Sequence, residues 1–207
     1  NITENTRIKA PINSTFPVEF LPMGDLAAVE AALQKGDVAA VIIEGIQGIA
    51  GIYVPEPAFL GAIAALCKQY EACLILDEIQ SGFGRSGHFF AFQQADIDPD
   101  IITMAKGMGN GFPVGGILLH PRFEASYGLL GTTFGGNHLA CVAVLAVLDV
   151  LEQESLLENA QTLGEALIPQ LAALPGVQEV RGMGLMIGLQ LDQQAAPIRK
   201  HLLFEQG

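Results

Sequence analysis

Positive charge is scarce in this chain. Ten Lys and Arg stand against 22 Asp and Glu, a formal net charge of −12 over 207 residues. Nucleic acids and anionic membranes are both held through clustered cations, so neither is expected as a partner. Long apolar runs are missing as well. No stretch reaches the ~18 consecutive apolar residues of a membrane helix, and the opening NITENTRIKA has no apolar centre of the kind a secretory signal carries. Cysteine is sparse and odd in number. Cys67, Cys73 and Cys141 sit in apolar segments without a C-x-x-C spacing, so they read as reduced core residues of a cytoplasmic protein. His88, His120, His138 and His201 are scattered with no i, i+4 pair, and no metal site is expected from them. The segment G-x-x-x-x-G-K-[ST] is absent, which sets aside a P-loop ATPase even though LILDE looks like a strand ending in magnesium-holding acids.

What is present is an apolar, patterned chain. Half of the residues are apolar and 15% are charged, so a sizeable core is available. Asp25 is placed to cap a helix, DLAAVEAALQK, that stops at Gly36. The run 38–43 predicts a buried strand ending at Glu44, followed by the glycine-rich loop EGIQGIAGIYVP and a helix over about 56–70. A second buried strand, 72–77, ends at Asp77, and a third is expected over 114–119. Helices are expected from near Asn137 and over about 156–173. Continuous apolar strands separated by helices predict a three-layer α/β domain with a mixed, mostly parallel sheet. From Gly176 the pattern changes. VQEVRGMGLMIGLQL reads as a hairpin and APIRKHLLFEQ as a helix, so a smaller α+β unit is expected. The division is then residues 1–22 unassigned, 23–150 a large domain and 151–207 the smaller unit. The chain stops straight after its last helix and reads as incomplete.

Three features carry chemistry. Asp77 closes a buried strand, and a carboxylate there is costly unless a cation meets it. Lys106 lies in MAKGMGNGFPVGG, where small residues allow close approach and a lysine amine shielded from water becomes nucleophilic. GLLGTTFGGNHLA sets Thr132, Thr133 and several glycines before a helix, an arrangement that offers hydroxyls and backbone N–H groups to a phosphate. Taken singly, each is as well read as a surface acid, a solvated lysine or a plain loop. Together they suggest pyridoxal phosphate, which needs a lysine for its aldehyde, an acid for its ring nitrogen and a cradle for its phosphate. Met104, Met108, Met183 and Met186 read as packing residues, Glu78 as a structural hydrogen-bonding or ion-pairing acid, and Arg85 as a loop arginine that is either solvated or turned to a neighbouring subunit.

VIIEGIQG, LILDEIQSGFGRSG, DIITMAKGMGNGFPVGG and TTFGGNHLA, in this order, resemble the class III, ornithine-type, pyridoxal-phosphate aminotransferases, and most of all their acetylornithine and succinylornithine members. The resemblance spans about residues 25–207. It implies fold type I with a smaller C-terminal α+β domain. Asp77 would then pair with the pyridinium nitrogen and Lys106 would bond the cofactor covalently. Ile79 would pack on the ring, Gln80 would lie near its phenolic oxygen, and Thr133, with Thr132 beside it, would reach the phosphate of a neighbouring subunit in a homodimer with shared sites. Glu44 is a candidate for substrate binding. The family usually reads E-P-[IV]-Q-G-E-[GA]-G, whereas this chain has Ile49 at the second acid. That acid pairs with an arginine in ornithine-type members, so its loss tilts the expected donor toward an N-acylated ornithine in arginine biosynthesis. The family's upstream phosphate loop, stacking aromatic and carboxylate-binding arginine have no counterpart here. Alternatives are an ornithine or other ω-amino acid aminotransferase, or a truncated scaffold without catalysis.

Overall fold

The computed structural model describes residues 17–124, 126–128 and 131–206. Most of the unassigned 1–22 segment, and Leu129 and Leu130 of the glycine–threonine loop, lie outside the described residues. Helix α1, Leu26–Leu33, begins where the Asp25 carboxylate accepts the Ala28 N–H at 2.9 Å. Strand β1, Ala40–Glu44, leads through a loop to helix α2, Pro57–Gln69. Pro57 sits in the first turn of α2, where its missing N–H is not needed. Strand β2 is Cys73–Asp77, β3 is Ile101–Met104 and β4 is Gly116–Leu119.

These four strands form one sheet in the order β1-β2-β3-β4, with the first three parallel and β4 antiparallel to β3. The mixed, mostly parallel character matches the expectation from sequence. Two details differ. The segment DPDIITM supplies β3, which the sequence pattern leaves as a lead-in to Lys106, and β4 starts at Gly116 rather than at 114. Four apolar or near-apolar residues between turns are too few to show a period, which is why β3 is hard to see in sequence.

Because side chains alternate across a strand, one face of the sheet carries Val41, Ile43, Leu74 and Leu76. This face packs on Ile63 and Cys67 of α2 and on Phe90, Phe92 and Met104. The other face carries Ile42, Ile75, Glu44 and Asp77, and there Ile42, Ile117 and Leu119 remain exposed among the described residues.

Helix α3, His138–Gln153, starts with the Asn137 side chain accepting the Ala140 N–H at 3.0 Å. Helix α4, Leu156–Ala172, packs against a second, two-stranded antiparallel sheet made of β5, Val177–Met183, and β6, Met186–Leu191. Helix α5, Ala195–Glu205, follows. Cysteine placement departs from expectation at one position. Cys67 is buried and Cys73 is half-buried, but Cys141 is exposed, because the apolar face of α3 on which it lies is not covered by the described residues. Among the described residues no helix is long and apolar enough to cross a membrane, and no group of three His, Cys, Asp or Glu is placed to hold a metal.

Candidate active site

Parallel pairing brings the carboxyl ends of β1, β2 and β3 to one edge of the sheet, the place where open α/β sheets bind ligands. In the register Glu44 lies beside Asp77, and Asp77 beside Thr103. Three residues beyond Thr103 the chain turns into a short 3-10 segment, Lys106–Gly109, against which α3 packs. Lys106 itself has φ +49, an unusual conformation for a long side chain and one that clusters at functional sites.

The Asp77 side chain has one hydrogen bond among the described residues, from the Ile79 N–H to its Oδ1 at 3.0 Å, and none of the salt bridges there includes it. Glu44 accepts the Gly48 N–H at 2.9 Å. Burial pushes its carboxyl above the usual carboxylate range, the Gly48 N–H draws it back, the Asp77 charge raises it and the Lys106 charge lowers it. Glu44 therefore lies within reach of both the Asp77 and the Lys106 charges.

The next acid along faces the opposite way. Glu78 is fully buried, with Oε2 accepting from the Ser81 hydroxyl at 2.6 Å and the Ala91 N–H at 3.0 Å, and Oε1 from the Phe92 N–H at 2.9 Å. It fastens the chain beyond β2 to the segment at 91–92, which bears out its structural reading.

A cleft of about 490 Å³ opens beside Lys106, lined by Ile52, Gln80, Arg85, Leu185, Met186 and Ile187. Gln80 is the residue that the resemblance sets near the cofactor's phenolic oxygen. Its side chain lies so close to Gly48 that any Cβ at position 48 would collide with Gln80 Oε1. Ile79 is half-buried on the same turn. Ile49 stands at the tip of the loop after β1, 61% exposed.

Leu185 and Ile187 are cleft residues that sequence reasoning did not single out, and Arg85 and Met186, which it reads as a loop arginine and a packing residue, line the cleft with them. Their shared signal is docking of the β5–β6 turn onto the loop after β2, where the Leu185 N–H donates to the Arg85 carbonyl at 2.9 Å. A contact across a hundred residues leaves no local pattern. Thr132 and Thr133 are exposed and outside this cleft, and the Thr132 hydroxyl accepts the Gly135 N–H at 3.1 Å.

Residues 6–205 match the sequence model of the family described as aminotransferase class-III. The acetylornithine aminotransferase of Bacillus subtilis is 44% identical over 184 residues, which cover 86% of this chain and 48% of that protein. The acetylornithine aminotransferase of Archaeoglobus fulgidus is 40% identical over 205 residues, covering 98% of this chain and 54% of that protein. Among solved structures, the acetylornithine aminotransferase from Elizabethkingia anophelis superposes with a TM-score of 0.79 at 32% identity, covering 90% of this chain and 49% of that one. An ornithine aminotransferase from Toxoplasma gondii, whose structure has partial occupancy of PLP at the active site, gives a TM-score of 0.81 at 32% identity, covering 92% and 48%. The chain spans about half the length of the curated relatives it matches. With this match over nearly all of its residues, the chain belongs to the class III aminotransferases.

Proposed function

We propose that this chain carries the lysine and its facing acids in a pyridoxal-phosphate aminotransferase that moves an amino group reversibly between an N-acylated ornithine and 2-oxoglutarate, a step of arginine biosynthesis. Pyridoxal phosphate is the family's cofactor, and the observation that carries the reading is the state of Asp77. It is a carboxylate at the end of an interior strand, beside Glu44 in the register, without a salt bridge among the described residues. Such a group fits a cationic ring nitrogen.

Lys106 would hold the aldehyde carbon through its amine. The same amine would serve as the base for the proton on the carbon bearing the donor's amino group, and then as the acid that gives it back. Bound pyridoxal phosphate would supply the electron sink for the pair left by that proton, and Asp77 would be the counter-charge for its ring nitrogen. Ile79 would pack on the ring, and Gln80, pressed against Gly48, would donate toward the phenolic oxygen. Glu44 would stand at the substrate side.

The apolar Ile49, where the family pattern has an acid, favours an acylated donor over free ornithine, whose α-ammonium would seek a carboxylate. Thr132 and Thr133 are read as contacts to the cofactor phosphate of a second copy, in a homodimer with shared sites. Their exposure outside this chain's own cleft supports that reading. We further read a division near residue 150, supported by the separate β5–β6 sheet, and a cytoplasmic setting, supported by three free cysteines.

The test is a steady-state comparison of ornithine, N-acetylornithine and N-succinylornithine as donors, with the Lys106→Ala variant as control. One of the acylated donors should give the highest kcat/KM, and Lys106→Ala should lose turnover by orders of magnitude. Free ornithine as the best donor would move the assignment to an ornithine or other ω-amino acid aminotransferase. A visible absorption band of bound cofactor that is absent from the parent would favour a non-catalytic scaffold.

A further inference from the structure

The loop between β1 and α2 contains a conformational anomaly. Gln47 and Tyr53 pair across it, with the Gln47 N–H donating to the Tyr53 carbonyl at 2.9 Å and the Tyr53 N–H to the Gln47 carbonyl at 3.2 Å. Inside that pair Ile52 has φ +60. A β-branched side chain in the left-handed region is strained, and it persists only where the surroundings over-determine it. Ile52 is also one of the apolar walls of the cleft that Lys106 lines.

What over-determines it comes from the far end of the chain. Arg181, on β5, donates from Nε to the carbonyl of Gly51 at 3.1 Å. Its guanidinium lies over the Tyr53 ring, 4.5 Å from the centroid. The arginine thus grips the residue on each side of Ile52. Its side chain is only 13% exposed, and its Nη1 meets the Glu179 carboxylate at 2.5 Å, which fixes the plane of the guanidinium. On the neighbouring strand, Gly188 leaves the space the loop needs. A Cβ there would stand 2.8 Å from Ile52 Cβ and 2.9 Å from the Gly51 carbonyl oxygen.

We infer that Arg181 is a positioning residue for the amino donor: by gripping Gly51 and Tyr53 it holds Ile52 in its left-handed conformation as an apolar wall of the cleft beside Lys106. Arg181 does not itself line the cleft, and its effect passes through Ile52. The uncharged methylene chain of the donor packs against that wall, so Arg181 governs how tightly the donor is seated rather than how fast the proton moves. This rests on the aminotransferase reading above for its kinetic consequence, while the grip itself stands on geometry alone.

The test uses the full chain with Arg181→Met, which keeps side-chain length and loses the donor and the charge, and with Arg181→Lys, which keeps a cation for Tyr53 and a donor for Gly51. Loaded with pyridoxal phosphate, Arg181→Met should retain the visible cofactor band and a kcat within about threefold of the parent, while the donor KM rises about tenfold, with Arg181→Lys between the two. In cofactor-free protein, hydrogen exchange at the Gln47 and Tyr53 amides should quicken about tenfold in Arg181→Met.

An unchanged donor KM with unchanged exchange overturns the inference. So does a parallel fall of kcat, cofactor band and thermal stability that Arg181→Lys does not rescue, since that pattern marks a general structural role. If Arg181→Met fails to fold, Arg181→Lys with parental KM and parental exchange decides against it. A parent that turns over no amino donor refutes the functional reading instead, and the exchange measurement still decides whether Arg181 holds the loop.

Discussion

At the scale of single residues, two consecutive acids have opposite fates because of the alternation of an extended chain. The Asp77 carboxylate keeps a single hydrogen bond among the described residues, from the Ile79 N–H, whereas Glu78 is fully enclosed and serves three donors from Ser81, Ala91 and Phe92. Burial pushes the Glu78 carboxyl above its usual range, and those three donors pull it back. Glu78→Ala would leave the Ala91 and Phe92 amides buried without acceptors, at about 1–3 kcal/mol for each unsatisfied group. We expect a loss of about 3 kcal/mol or more in urea unfolding at neutral pH. A loss below about 1 kcal/mol would show that water or neighbouring groups replace the carboxylate. The sequence reads Glu78 as a structural hydrogen-bonding or ion-pairing acid. It does not reveal the Ala91 and Phe92 donors, because they lie 13 and 14 residues away on a segment whose sequence has no strand or helix period.

At the scale of elements, the loop after β1 joins the site to the rest of the fold. Its first turn is tied by Glu44 to the Gly48 N–H, and its last by Arg181 to Gly51. The β1 and β2 strands, the helix caps at Asp25 and Asn137 and the β5–β6 hairpin were all legible, since each is set by local pattern or by a capping side chain. The short β3 and the cleft wall at Leu185–Ile187 were not, since both are fixed by tertiary contact alone.

Glu44 offers an element-scale test by pH. Its folded pKa is raised above the ordinary Glu value of 4.5, chiefly by burial. The cost of ionising it is therefore absent below that value and fully present once pH exceeds the raised one, so stability is lost as pH climbs through the window. Glu44→Gln stays neutral and can still accept the Gly48 N–H. Its stability relative to the parent should improve between about pH 4 and pH 7 in urea titrations. An identical difference at both pH values would mean that Glu44 ionises in the fold as freely as in the unfolded chain.

At the scale of the whole molecule, the described residues leave apolar faces that an isolated chain would expose to water. On α3, Leu139, Val142 and Leu145 recur every third residue at 71%, 62% and 59% exposure, and Phe134 is exposed just before the helix. A contiguous apolar stripe of this kind marks an interaction surface more often than a solvated one. It runs on from the loop holding Thr132 and Thr133, and α3 itself packs against the segment that begins with Lys106. In the homodimer proposed above, this stripe would meet the second copy, and the same contact would carry Thr133 toward that copy's cofactor phosphate. Leu145→Glu places a charge on the stripe without touching the cleft. We expect it to shift the sedimentation of the full chain from dimer toward monomer, and to lower cofactor retention and turnover together, with helix content unchanged by circular dichroism. Thr133→Ala should weaken retention of the cofactor phosphate while the protein stays dimeric. A Leu145→Glu protein that is monomeric yet fully active would show that each chain completes its own site, and Thr132 and Thr133 would revert to an exposed loop ahead of α3.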